Sequence, residues 1–286
     1  MQDAIPQFDA NGRGPHRYRA IFISDLHLGT RTAQATALLD FLRMCEADTY
    51  YLVGDIIDFW RVRRGPHWPQ SHNDVIQKLL RKVRKGTRII FIPGNHDEAL
   101  RDFCGQHFGG IDVRRNCVHV SAAGRRYLVL HGDEFDVIVR TAKWLAYLGD
   151  RGYETALWLN SPLNFVRRHL GLGYWSLSAY LKGRVKQAVS FIGAYERAVA
   201  DEARRQGAEG VICGHIHSAA DLFFGDVHYL NCGDWVENCT AVVETMQGEM
   251  QVIHWSCDGR GDGTTTSPVP AMSAQLSSHV QEGAST

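Results

Sequence analysis

Five short stretches of this 286-residue chain carry residues able to bind a metal or move a proton. They are "SDLHLG" with Asp25 and His27, "GDIIDFW" with Asp55 and Asp58, "GNHDE" with Asn95, His96 and Asp97, "HGDEFD" with His131, and "GHIH" with His215 and His217. The donors are carboxylate, amide and imidazole, with no cysteine. Such a set suits Mn²⁺, Fe²⁺ or Zn²⁺, whereas Ca²⁺ and Mg²⁺ prefer cages built of oxygen alone. Asp25, His27, Asp55, Asn95, His131, His215 and His217 make seven strong ligands. Seven is too many for one ion with an open position and suits two ions sharing a carboxylate. Two divalent ions set against two aspartates leave positive charge in surplus. That surplus fits an anionic phosphate and the generation of hydroxide near neutral pH.

Taken singly, most of these stretches are weak signals. "GDIID" alone is an ordinary turn, and "GHIH" alone is a common strand end. "GNHD" after Pro-Gly has no obvious packing use. The order of all five along the chain carries the weight. Asp25 and His27 are two apart, as are His215 and His217, so an extended backbone points each pair the same way. Glycines before Asp55, Asn95 and His215 allow tight turns there. Asp58 is expected either to accept a hydrogen bond from a ligand or to cap the following turn.

Each stretch follows a predicted strand: residues 18–24, 49–54, 88–94, 126–132 and 210–214, which are short and rich in branched or aromatic residues. Helical periodicity over about 33–46 and 72–85 separates the first three. This is βαβαβ logic with a largely parallel sheet, and ligands gather beyond the carboxyl ends of such strands. After residue 214 come "DLFFG", "VHYLNCG", "TAVVET" and "MQVIHW", which read as antiparallel strands of a second sheet. Residues 137–205 read instead as successive helices (about 138–149, 152–159, 162–169 and 177–205) carrying ten aromatics, a helical cap inserted beside the site. Residues 1–18 read as a flexible arm, and 257–286 as a disordered tail, since fifteen of the last twenty-nine residues are Gly, Ser, Thr or Pro.

Formal net charge is zero, so no nucleic-acid partner is demanded. Residues 61–88 nevertheless hold nine Lys/Arg against the single acid Asp74. Such a patch is either a solvated helix face or a site for phosphates or an anionic membrane surface. Seven scattered cysteines without a C-x-x-C argue against a disulfide framework or a structural zinc. There is no signal-peptide pattern at the start and no apolar run long enough to span a bilayer. A cytoplasmic protein, with a peripheral position on the inner membrane as a candidate, is the expectation.

The ordered motifs D-x-H, G-D-x-x-D, G-N-H-D, H-G and G-H-x-H resemble those of the calcineurin-like metallophosphoesterase superfamily. The resemblance covers residues 19–256. It implies an α/β fold, a four-layer αββα sandwich, with a dinuclear metal centre. It further implies that Asp25, His27, Asp55 and His217 hold one ion, and that Asp55, Asn95, His131 and His215 hold the other. His96 then contacts the phosphate or protonates the leaving oxygen, oriented by Asp97. "GDEFD", "WLAYLGD", "RRHLGLGYWSLSAYLK" and "GDWVENCTA" resemble the UDP-2,3-diacylglucosamine hydrolase-like branch. Members of that branch cut a nucleotide-diphospho-lipid to UMP and an acylated sugar phosphate in lipid A synthesis. Asn160, Asn164, Arg167, Arg168 and Lys182 on the cap are candidate substrate contacts, and two ions, Mn²⁺ first and Fe²⁺ or Zn²⁺ next, the expected cofactors. Related folds also act on cyclic nucleotides, nucleic acid or phosphomonoesters, and one serves as a non-catalytic binding module. Loss of metal ligands would mark the module; here all seven are present.

Overall fold

The computed structural model of the chain describes residues 15–65, 67–135 and 177–255, with side chains throughout except over 177–190. The chain divides into two units, Met1–Asp133 with Ala200–Val269 and Glu134–Val199 with Pro270–Thr286. The first carries every strand described below.

It opens with β1 (His16–Ile23), α1 (Ala35–Met44), β2 (Cys45–Val53), α2 (Phe59–Arg64), α3 (Gln70–Arg84) and β3 (Arg88–Ile92). Short strands β4 (His107–Phe108), β5 (Ile111–Val113), β6 (Cys117–Val120) and β7 (Arg126–Val129) follow. Helix α4 (Leu177–Arg205) begins in the second unit, and its last turns return the chain to the first. Then come β8 (Gly210–Cys213), β9 (Ala220–Phe224), β10 (Val227–Asn231), β11 (Thr240–Glu244) and β12 (Met250–His254).

The strands form a seven-stranded sheet in the order β12-β11-β1-β2-β3-β5-β4 and a five-stranded sheet in the order β6-β7-β8-β10-β9. β1, β2, β3 and β5 run parallel, as do β7, β8 and β10. The period of two along β1 assigns its side chains to two cores. Ala20 and Phe22 meet Val53, Ile90 and Ile92 from their own sheet and Val129, Ile212 and Leu230 from the other, so the two sheets pack face to face. Ile21 and Ile23 turn the other way, into a cluster with Leu38, Phe41 and Leu42 of α1 and Val75 and Leu79 of α3. Strands covered on both faces read as unbroken apolar runs, which is why the sequence shows no alternation there. The result is an α/β sandwich of two sheets and flanking helices.

Two expectations change. The four strands after β8 do not form one sheet. β9 and β10 join the five-stranded sheet, with β10 parallel to β8. β11 and β12 extend the seven-stranded sheet beside β1. β11 is buried throughout, with Val242 between the sheets and Ala241 and Val243 on the helix face. That demands a neighbour on each side, which an edge position would not supply. β4 to β6 were not anticipated, being only two to four residues long. The expected helices over 138–149, 152–159 and 162–169 lie outside the described residues.

Candidate metal centre

The predicted donors follow the carboxyl ends of β1, β2 and β3 in one sheet and of β7 and β8 in the other. They therefore converge on one shared edge of the sandwich. Backbone hydrogen bonds stitch the loops together: Asp25 N–H donates to Gly54 O (3.0 Å), His27 N–H to Asp55 O (2.9 Å), and Gly214 N–H to His131 O (3.1 Å).

The side chains meet in three overlapping groups, Asp25/His27/His217, His27/Asp55/His96 and Asp55/His131/His215, each with its ligand atoms mutually within 4.8 Å. His217 Nε2 lies 3.1 Å from Asp25 Oδ1, and His27 Nε2 lies 3.9 Å from the same oxygen and 3.8 Å from Asp55 Oδ2. On the other side His131 Nε2 is 3.4 Å from Asp55 Oδ1. Asp55 thus stands between the His27/His217 side and the His131/His215 side.

Several of the donor atoms face one another without a hydrogen bond. Asp25 Oδ1, Asp55 Oδ2, Asn95 Oδ1 and His131 Nε2 are buried and make no hydrogen bond. A buried polar atom left so costs about 1–3 kcal/mol, a penalty that coordination of a cation removes. The electrostatics agree. Burial works against ionisation, yet His217, His131 and His27 hold the Asp25 carboxyl well below its ordinary value. Burial likewise disfavours a charged His131, but Asp55 and then Asp25 push it up to about 10. The buried carboxylates thus draw positive charge into the cluster.

The backbone is built around these donors. Six non-glycine residues among those described have positive φ, and five of them are Asp25 (53°), His27 (48°), Asp55 (54°), His215 (72°) and His217 (55°). The expectation of an extended chain at the paired donors is therefore corrected. Each sits in the left-handed region, which turns its side chain into the site. The glycines matter for room as well as for turning. A Cβ on Gly94 would lie 2.3 Å from Asp55 Oδ1, and one on Gly214 would lie 2.6 Å from Asp25 Oδ2.

His96 is at the rim, with its Nε2 4.0 Å from Asp55 Oδ2. The carboxylate beside its Nδ1 is Asp58, at 3.0 Å, and not Asp97. Asp58 Oδ2 also lies 3.4 Å from His27 Nδ1, while its Oδ1 accepts from Arg61 N–H at 2.8 Å and caps α2. The two uses foreseen for Asp58 are both realised. Trp60 packs on the His96 ring at a centroid distance of 4.1 Å. Asp97 is fully buried and fastens two loops, accepting from Gly94 N–H (2.6 Å) and Ile56 N–H (2.8 Å). Burial and the neighbouring Asp55 push its carboxyl up to about 6.

Sequence reasoning missed the braces behind the histidines. Asn231 Nδ2 donates to Gly214 O (2.9 Å), and Asn238 Nδ2 donates to His217 O (3.2 Å). The signal was present, since an asparagine closing an apolar strand has no packing use. Among the proposed substrate contacts, Asn160, Asn164, Arg167 and Arg168 lie outside the described residues. Lys182 is on α4 in the stretch whose side chains are not described. The basic segment is not all solvated: Lys82 is buried, its Nζ donating to Cys45 O at 2.9 Å.

The family model for Calcineurin-like phosphoesterase matches residues 18–219. The chain belongs to this family. As a calcineurin-like phosphoesterase it is a metal-dependent phosphoester hydrolase. It is similar to the UDP-2,3-diacylglucosamine hydrolase of Neisseria meningitidis serogroup B, 29% identical over 78% of this chain and 92% of that protein. The similarly named protein of Porphyromonas gingivalis is 27% identical over 81% of this chain and 98% of its own length. Among solved structures, a single mutant of Vps29 from Entamoeba histolytica matches at 14% identity and TM-score 0.41, over 84% of this chain and 93% of that one. Among the described residues of this phosphoesterase, no helix is long and apolar enough to cross a membrane.

Proposed function

We propose that the chain hydrolyses the phosphoanhydride of UDP-2,3-diacylglucosamine, or of a similar nucleotide-diphospho-lipid, to UMP and an acylated sugar 1-phosphate. The observation that carries the chemistry is the buried donor set around Asp55, in which Asp25 Oδ1, Asp55 Oδ2, Asn95 Oδ1 and His131 Nε2 converge without a hydrogen bond. The relatives' names support the substrate, at 27–29% identity.

In this reading Asp25, His27, Asp55 and His217 hold one divalent ion. Asp55, Asn95, His131 and His215 hold the second, and Mn²⁺ is the first choice. When bound, the ions supply Lewis-acid polarisation of the phosphoryl group and a lowered pKa for an attacking water. The protein's own groups do the rest. His96 holds a proton at Nε2 for the leaving oxygen, a role worth about 10²–10⁴ in rate. Asp58 lies 3.0 Å behind the His96 ring at Nδ1. Trp60 shields the ring from one side. The five left-handed residues keep the donors aimed before substrate arrives.

The exposed Trp60 and Trp68, with the basic residues of α2, support a seat on an anionic leaflet. Sedimentation with phosphatidylglycerol vesicles against neutral vesicles tests that seat, and equal binding to both removes it.

The direct test is release of UMP from UDP-2,3-diacylglucosamine with Mn²⁺, before and after chelation. Activity lost on chelation and restored by metal supports the proposal. A metal-loaded enzyme that ignores this substrate yet cleaves bis(p-nitrophenyl) phosphate sinks the lipid assignment and leaves the phosphoesterase.

A further inference from the structure

A cleft of about 420 Å³ opens beside the metal centre, and His27, His96 and His217 line it where it meets the donors. Arg31, from the loop after β1, and Arg61, from α2, line it as well. Both are exposed, and neither makes an ion pair. Three other arginines of the first unit are tied to carboxylates, Arg19 to Glu244 at 2.8 Å, Arg101 to Asp133 at 2.7 Å and Arg88 to Asp112 at 3.1 Å. Among the described lining residues the carboxylate is Asp58, which lies beside His27 and His96 and accepts from the Arg61 N–H. Among the described residues, no carboxylate pairs with either guanidinium group of the cleft.

A single phosphoryl group is already served by the donor cluster, where divalent ions exceed the carboxylates in charge. Two more cations next to it exceed what one phosphoryl can balance. Guanidinium groups bind phosphoryl oxygens in forked pairs, and a concave basic wall concentrates field on an anion. We propose that Arg31 and Arg61 form a subsite for a second phosphoryl group, adjoining the one held at the metal centre. The substrate class they select is a diphosphate ester, in preference to an isolated monoester or diester. This rests on the reading given under the proposed function and assigns its specificity to two residues.

The experiment measures binding of UMP and of the methylene-bridged analogue of UDP to the full-length, Mn²⁺-loaded chain by calorimetry. UMP offers one phosphoryl group and the analogue two. The wild type is expected to prefer the diphosphate by about 10–100-fold, as one or two charge-assisted contacts imply. The double variant Arg31→Ala, Arg61→Ala is expected to bring that preference to within about threefold, chiefly by weakening the diphosphate. Lysine at both positions is expected to restore part of it, since it keeps charge and loses the fork. Arg63→Ala, on the same helix outside the cleft, serves as the control and is expected to leave the ratio unchanged. A ratio unmoved by the double variant, or an equal loss for both ligands, overturns the subsite. Both arginines are exposed and unpaired, so the variant should fold; circular dichroism and metal content verify this. If the ratio behaves as expected while UDP-2,3-diacylglucosamine is not hydrolysed, the lipid reading fails and the subsite stands. Hydrolysis with an unmoved ratio gives the reverse.

Discussion

The Asp58 carboxylate stands 3.0 Å from His96 Nδ1. The same Oδ2 is 3.4 Å from His27 Nδ1, so one carboxylate stands behind a proposed proton donor and bonds a proposed metal ligand. Fixing the far nitrogen of a ligand histidine sets its tautomer and its basicity. Asp58→Asn is therefore expected to lower kcat and metal affinity each by about 10–100-fold, with KM little changed. Steady-state kinetics at saturating Mn²⁺ and a metal titration check this. A kcat within twofold of wild type would put Asp58 back as a helix cap alone.

Asp97 should behave differently. Its oxygens hold the backbone N–H groups of Gly94 and Ile56, so its removal unfastens two loops. Asp97→Ala is expected to cost about 3 kcal/mol of stability, the scale of buried charge-assisted hydrogen bonds. Asp97→Asn should cost less, because the amide oxygen still accepts. Chemical denaturation gives the stability, and activity per folded molecule gives the rest. An Asp97→Asn variant with wild-type stability and a collapsed kcat would return Asp97 to the reaction.

Space at the donors gives a third test. Gly214→Ala would put a methyl 2.5 Å from Ser24 Oγ and 2.6 Å from Asp25 Oδ2. Elemental analysis after Mn²⁺ loading should show metal content falling from about two per chain to one or less, the count two ions sharing a carboxylate would give. Gly193→Ala is the contrast, since nothing lies within 4 Å of its Cβ and it is inside α4. It should keep its metal and gain about 0.5–1 kcal/mol of stability from helix propensity. Full metal occupancy in Gly214→Ala would show that the loop yields more easily than its contacts indicate.

Lys82 supplies a pH dependence remote from the metal donors. Burial, followed by the neighbouring Lys78, lowers its pKa from 10.5 to about 8. The unfolded chain keeps this proton up to about 10.5, whereas the folded chain releases it from about 8. Between those values unfolding takes up a proton, so raising the pH favours the folded state. Lys82→Met removes that contribution. Relative to the methionine variant, wild type should gain stability as pH rises from 8 toward 10.5, and denaturation curves at pH 7 and 9.5 measure the difference. Thiols away from Lys82, such as Cys117, pushed up to about 11 by burial, weaken both proteins alike at high pH and cancel in the comparison. A stability difference that does not change with pH would mean that Lys82 is solvated enough to titrate normally.

How much of this could be read from the chain depended on how local each signal was. Asp55 after "TYYLVG" and His131 near the end of "RYLVLHG" were legible because a buried strand and the donor at its end are contiguous. The boundaries of α4 were legible for the same reason, as periodicity over residues 177–205 is a local property. The exchange of roles between Asp58 and Asp97 was not legible, because the carboxylate that meets His96 comes from another loop. The placement of β11 beside β1 was hidden too, since β9, β10 and β11 carry similar apolar runs and pairing is decided by the fold. Nor does "DLH" or "HIH" announce a left-handed backbone. Only loop geometry imposes it, and residues with a Cβ usually avoid it.

That avoidance has an evolutionary side. At 27, 215 and 217 a glycine would relax the backbone, releasing about 1 kcal/mol or more per position. Selection for stability alone would therefore erode these histidines, whereas the Asp25 and Asp55 carboxylates also accept the backbone N–H groups of His215 and His96. A histidine at all three positions is a standing cost that use of the bound ions offsets. In a library screened first for heat resistance and then for catalysis, these three codons should drift toward glycine in the first round and revert in the second.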